Sequence, residues 1–184
     1  MRILDARLPA SGPEALTAWY GENIGASPTF VPGTPTPHHF AFHVADLEAW
    51  GERLDVGEPH DFSAWNGARA VYFRDPEQNV GELIARPRAW PELTLAEVGL
   101  PVDDVATAVD VLQRELGVAP YREPHEEFAP LGDDEGLLIV VRVGRGWFPV
   151  GVPAGASPIE VTLAGVGRGT LEVPGSSHRV TAVA

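Results

Sequence analysis

Apolar and polar positions along the chain fall into alternating runs that lead into helical stripes. Ile3 to Leu8 alternates and leads into a helix from about Pro13 to Ile24. Ser11 or Gly12 can cap that helix, Pro13 suits its first turn, and Gly25 ends it; Leu16, Tyr20 and Ile24 share one face. His38 to Val44 alternates and runs into a short helix from Asp46 to Leu54, with Asp46 as N-cap and Leu47, Trp50 and Leu54 inward. Leu95 to Val102 leads in the same way into a helix from about Asp104 to Leu116, with Val105, Val109, Leu112 and Leu116 as its stripe and Gly117 as its stop.

The first and third of these units repeat. A shift of 92 residues sets Leu8-Pro9 on Leu100-Pro101, Gly25 on Gly117, Pro28 on Pro120 and Asp5 on Glu97. Strands fill the remainder. Ala70 to Arg74 and Val80 to Ala85 flank the turn Asp75-Pro76-Glu77-Gln78-Asn79 and read as a hairpin. Leu137 to Val143 is an almost unbroken apolar run, the pattern of a buried central strand. Pro158 to Leu163, Gly169 to Val173 and Arg179 to Val183 are further short strands, and the proline-rich stretch Ala26 to Pro37 has room for one at most.

Composition narrows the function classes. The 184 residues carry 26 acidic and 13 basic side chains, a net charge of −13, which repels phosphate backbones and anionic lipid. Nucleic acid and membrane surfaces are thus poor partners, and no apolar run approaches the roughly 18 residues of a membrane span. All the basic residues are Arg; without Lys there is neither Schiff-base chemistry nor a P-loop. There is no Cys, so thiolate ligands, thiol nucleophiles and disulfides are excluded. The start, Met1-Arg2-Ile3-Leu4-Asp5, lacks an apolar signal core, which with the missing Cys gives a cytoplasmic location as the expectation. No Ser sits in a nucleophile-elbow context.

Alternation sorts the faces of three strands. His39, Ala41 and His43 point opposite to Phe40, Phe42 and Val44. Leu4, Ala6 and Leu8 form a packing set that leaves Asp5 and Arg7 on the other side. Val98, Leu100 and Val102 do the same for Glu97 and Gly99. Trp65-Asn66-Gly67 and Gly146-Trp147-Phe148-Pro149 set an aromatic beside a flexible glycine. Trp65 and Trp147 either line the mouth of a pocket or plug the ends of a barrel.

The stretch His38-His39-Phe40-Ala41-Phe42-His43-Val44, a short helix, and then Val71-Tyr72-Phe73-Arg74-Asp75-Pro76-Glu77-Gln78-Asn79-Val80-Gly81-Glu82 resembles the vicinal oxygen chelate superfamily. That group includes glyoxalase I, extradiol dioxygenases and bleomycin-resistance proteins. The resemblance implies an α+β fold in which βαβββ modules form half-barrel cups with short helices outside. It divides the chain into a glyoxalase-like half at 1–90, whose first module is truncated, and a second at 91–184. It also implies cups completed between modules or between subunits, a homodimer being one arrangement.

The family's metal positions fall on Asp5, His39 and Glu82, a mixed nitrogen and oxygen set suited to a divalent Fe, Mn, Ni or Zn ion. Catalytic roles fall to Glu82 and His43, and the substrate pocket to Arg7, Trp65 and Trp147. The mirror positions Glu97 and Glu160 lack an imidazole from Leu137 to Val143, which argues against a second metal site. Two functions follow: a metal-dependent lyase or dioxygenase acting on a small oxygenated substrate, and a metal-free protein that sequesters a small-molecule ligand in an aromatic-lined cup.

Overall fold

The computed structural model describes residues 1–184. The strands are β1 (Arg2–Ala10), β2 (Thr29–Pro32), β3 (His39–His43), β4 (His60–Phe62), β5 (Ala68–Arg74), β6 (Val80–Ala85), β7 (Leu95–Val102), β8 (Phe128–Asp133), β9 (Gly136–Arg142), β10 (Gly146–Trp147), β11 (Val152–Pro153), β12 (Glu160–Ala164), β13 (Gly169–Glu172) and β14 (Arg179–Val183). The helices are α1 (Pro13–Asn23), α2 (Leu47–Leu54) and α3 (Val105–Leu116). None is long and apolar enough to cross a membrane.

Local chemistry explains the helix limits. Asp46 and Asp104 accept from the N–H groups of Ala49 and Thr107 and so cap α2 and α3, and Gly117 ends α3 at a φ of 68°. The start of α1 is capped from a distance: Glu77, in the turn after β5, accepts from the backbone N–H groups of Ser11 and Gly12. That turn is itself organised by Asp75. Its buried carboxylate accepts from the N–H groups of Glu77 and Asn79, from the Asn79 side chain and from the Tyr20 hydroxyl of α1.

Seven strands form a curled half-barrel in the order β4-β5-β6-β3-β7-β9-β8, and five form a second sheet in the order β13-β14-β12-β1-β2. In the large sheet, β3-α2-β4-β5-β6 is a complete βαβββ module: β3 runs parallel to β6, and β5 pairs antiparallel with both β6 and β4. The unit β7-α3-β8-β9 repeats that order, with the bridge from Pro120 to Leu131 standing in for the missing outer strand. The two units join where β3 pairs antiparallel with β7.

Residue 90 lies between β6 and β7. Strand pairing crosses that point twice, β1 with β12 and β3 with β7, so neither half closes its own sheet. The complete module begins at β3, and the apparently truncated strand–helix unit before it contributes β1 and β2 to the second sheet. Leu4 also departs from the expected packing set. A bulge between Ile3 and Asp5 turns it outward, and it is 50% exposed, while Ile3 takes its place inside.

α1 and α3 lie between the two sheets, in a core that runs from Ile3, Ala6 and Leu8 through Tyr20 and Leu112 to Phe40, Val98 and Leu100. Tyr20 touches Phe30, Phe40 and Phe73 at ring-centroid distances of 5.4 to 6.2 Å. The backs of β3 and β7 are thus fully packed, which leaves their other faces to the cup.

Replacing Asp75 with Ala leaves the buried Tyr20 hydroxyl and the turn N–H groups without an acceptor. The expected loss is at least about 2 kcal/mol of unfolding free energy in urea; a change within about 0.5 kcal/mol would show that the turn does not depend on this carboxylate.

Candidate metal centre

Three donors converge on the concave face at the junction of the two modules. His39 starts β3, Glu82 lies on the neighbouring β6, and Glu97 comes from β7 across the seam. The Nε2 of His39 is 3.5 Å from a Glu82 oxygen and 3.8 Å from a Glu97 oxygen. One donor atom from each of the three residues lies within 4.8 Å of the others, and all three residues are buried. Two ligands on one ion stand roughly 3 to 3.5 Å apart when each bond is about 2.1 Å, so the set is slightly open but of the right scale.

Register explains the convergence. In β3 and β6, His39 lies two residues before Ala41, which pairs with Glu82. In β7 and β9, Glu97 lies two residues before Gly99, which pairs with Ile139. His39 and Glu97 are therefore equivalent positions of the two modules, and so are Glu82 and Ile139. A four-position site is filled by three donors and one isoleucine, which lines the adjoining cavity.

The surroundings constrain each donor. The ring of His39 packs against Trp147 at a centroid distance of 5.3 Å and a tilt of 32°, and the Trp147 indole N–H donates to the Pro37 carbonyl. The Trp147 ring lies over Gly99, where an added Cβ would meet it at 2.5 Å. Arg86 donates to Glu97 at 2.7 Å and reaches Asp134 at 3.4 Å, and Asp134 accepts from the Tyr121 hydroxyl at 2.6 Å. Tyr72 lies directly opposite Glu82 across β5 and β6. Burial pushes the Glu82 carboxyl well above the usual carboxylate range, and neighbouring Glu97 pushes it the same way, against the opposing pull of Arg86 and the Tyr72 hydroxyl.

Two buried carboxylates thus share one buried guanidinium, an excess of negative charge in a poorly solvated place. A proton or a metal cation relieves it, so the donor set fits a divalent ion. One feature is unusual: the Nδ1 of His39 is buried with no hydrogen-bond partner, so packing against the tilted Trp147 ring holds it where a polar neighbour often does.

The sequence-derived set is brought together only in part. His39 and Glu82 meet. Asp5 does not join them; it lies on β1 in the other sheet and accepts from the Thr29 hydroxyl at 2.8 Å. Its place is taken by Glu97, the residue that the 92-residue repeat set beside it. Arg7 is likewise outside the cup, 3.3 Å from Glu160, which also pairs with Arg179. His43 is buried, its Nε2 is 3.1 Å from the Glu135 carbonyl, and its ring packs at a tilt against Trp90. Burial lowers its pKa. Together with Asp5 it lines a different cavity of about 410 Å³. Of the two tryptophans, Trp65 lines the cavity beside the donors, whereas Trp147 is a buried wall behind His39.

That cavity measures about 290 Å³. Its walls are largely aromatic, with Phe62, Trp65, Tyr72, Phe128 and Phe148 contributed by both modules. The Phe148 ring packs edge-on against His60, Phe62 and Tyr72 at 5.1 to 5.7 Å and so bridges the modules above the donors. The Gly146-Trp147-Phe148-Pro149 stretch drew notice in the sequence for Trp147, whereas it is Phe148 that lines the cavity; Arg86 had no signal there, because its pairing with Glu97 depends on how β6 and β7 are placed in the sheet.

Protein kept in chelator, and so free of any divalent ion, exposes the cost of the buried pair. A carboxyl whose pKa is raised by folding stabilises the native state below its ordinary value, and that contribution is lost as pH rises through the raised one. Chelated protein is therefore expected to lose stability as pH climbs from about 4 towards neutrality and beyond. Glu82→Gln, which stays neutral, should flatten the decline and unfold at higher denaturant near pH ~7. Parallel decline in parent and variant would assign the slope to another group.

Comparison with solved structures agrees with this architecture. The chain is similar to a putative dioxygenase from Bacillus subtilis subsp. subtilis str. 168, with a TM-score of 0.65 at 14% identity, covering 99% of this chain and 85% of the other. It is similar to glyoxalase I from Zea mays, with a TM-score of 0.61 at 17% identity over 99% of this chain and 92% of that one. The V278E variant of the maize enzyme gives 0.59 at 17% identity, with the same coverage. No protein-family model and no curated protein matches the chain. A complete βαβββ module joined to a reduced one, a curled sheet with the donors at its seam, and these likenesses together give the chain a glyoxalase-like fold.

Proposed function

We propose that this protein is a divalent-metal-dependent enzyme of the glyoxalase and dioxygenase type, acting on a small oxygenated substrate in the 290 Å³ cavity. The observation that carries this reading is the buried convergence of His39, Glu82 and Glu97 on a cavity floor. One imidazole and two carboxylates suit Fe, Mn, Ni or Zn. A bound ion would act as a Lewis acid towards substrate oxygens.

The chain's own residues prepare the site. Trp147 fixes the plane of the His39 ring. Arg86 occupies one oxygen of Glu97 and leaves the other turned towards His39. Without an ion, burial and Glu97 favour the protonated carboxyl of Glu82, so that taking up a cation there would release a proton. The aromatic walls exclude water and hold the apolar part of the substrate. The cup is completed within one chain, so a second copy is not required to form the site.

Protein purified without chelator should carry close to one metal ion per chain by mass spectrometry. His39→Ala, Glu82→Gln and Glu97→Gln should each lose most of it, while Asp5→Asn retains it. After chelation and removal of the chelator, adding Mn, Ni or Zn at about 100 times the dissociation constant should raise parent stability by about 2.7 kcal/mol and leave His39→Ala unmoved. A metal-free parent with unchanged thermal unfolding would leave the aromatic cavity as a site for metal-free ligand capture.

A further inference from the structure

We infer that Arg145 makes this cavity selective for a small planar carboxylate, held with its anionic end at the mouth and its other oxygenated end at the His39, Glu82 and Glu97 floor. The inference deepens the proposed function and rests on the same cavity being the substrate site.

Arg145 follows β9 and is the one arginine among the residues lining the cavity. The chain carries twice as many acidic as basic groups, yet no carboxylate lies within 4.0 Å of the Arg145 guanidinium. Most of the other arginines near the two sheets are paired: Arg7 and Arg179 with Glu160, Arg69 with Glu48, and Arg86 with Glu97. The side chain of Arg145 is positioned by an aromatic ring, with its Cζ 4.9 Å from the Phe128 centroid. Its hydrogen-bonding edge is therefore left almost unused; the one contact is a long 3.5 Å approach to the Gly146 carbonyl.

The cavity is thus polarised. Two carboxylates occupy the floor, and a guanidinium with unused donors stands at the side. His125, stacked on Phe128 at 5.5 Å, adds an imidazole to the lining. A planar fork of N–H donors matches a carboxylate with two parallel bonds. Between the poles, the aromatic lining of Phe62, Trp65 and Tyr72 favours a flat ligand, and 290 Å³ lies at the small end of ligand-site volumes. A net charge of −13 repels anions at long range, so a local cation is what admits one.

The test compares benzoate with its neutral isostere benzamide by calorimetric titration at about 0.15 M salt, where long-range repulsion is screened. Chelated and metal-loaded protein are both titrated, because a bound ion can itself attract a carboxylate. In chelated parent protein, benzoate should bind at least about tenfold more tightly than benzamide. Arg145→Gln should abolish that preference, and Arg145→Lys should keep the anion favoured. Thermal unfolding of both variants checks that they fold.

Equal binding of the two compounds by the parent, a preference that survives Arg145→Gln, or no benzoate binding up to about 10 mM each overturns the inference. Metal content separates this failure from the earlier one. A metal-bearing protein without charge preference overturns only the role of Arg145. A metal-free protein that still prefers benzoate overturns only the metal-dependent reading.

Discussion

The antiparallel pairing of β3 with β7 is the contact on which the site depends. It joins two modules that each supply an incomplete donor set, His39 and Glu82 from one and Glu97 from the other. Because side chains alternate across a strand, a one-residue slip at this seam would send Glu97 to the packed face and bring Val98 into the cup. The register is fixed from behind, where Phe40 lies opposite Val98 and both are fully buried in the core. Apolar packing on the convex side thereby sets polar geometry on the concave side. Small residues then leave the space: Ala41, Ala68 and Gly99 all lie on the cup side near the donors.

Electrostatics gives the seam its chemical consequence. Burying two carboxylates near one another is unfavourable, and a single guanidinium from Arg86 offsets only part of it. Arg86 is itself shared with Asp134, which is held by Tyr121 and Asn66 towards the rim. The network thus runs from the floor to the surface and restrains Glu97 without neutralising Glu82. A site of this kind costs folding free energy unless a proton or cation enters it, and such costs are concentrated at functional centres.

Much of this was legible because it was local. The Asp75-Pro76 turn, the Asp46 and Asp104 caps and the apolar stripes of α2 and α3 are fixed by neighbouring residues, and they appear where the sequence puts them. The faces of His39 and Glu97 followed from alternation, and Glu82 from the resemblance. Which sheet each strand joins did not. Asp5 satisfies the same alternation rule as Glu97 and aligns with it in the repeat, but β1 pairs with β12 and β2, and no local pattern encodes that choice. The bulge at Leu4 and the pairing of Arg7 with Glu160 are products of the same long-range decision.

The second sheet shows why the reduced units persist in the architecture without donors of their own. Its order around the β1 and β12 junction follows that of the large sheet around β3 and β7: β1 is parallel to β2, and β12 is parallel to β14, which pairs with β13. The face equivalent to the cup carries Asp5, Arg7, Glu160 and Arg179, joined mainly by exposed ion pairs that contribute little to stability. Its other face is the valuable one. Ile3, Leu8, Val161, Leu163 and Val180 meet α1, α3 and the back of the large sheet in one continuous core. His178 binds the arrangement across the sheets, accepting from the Ile159 N–H and facing the Pro101 carbonyl of β7 at 2.6 Å. Without that cover the apolar backs of β3 and β7 would face water, and the packing that holds Glu97 against His39 would be lost; the sheet that carries no chemistry is what keeps the chemical seam in register.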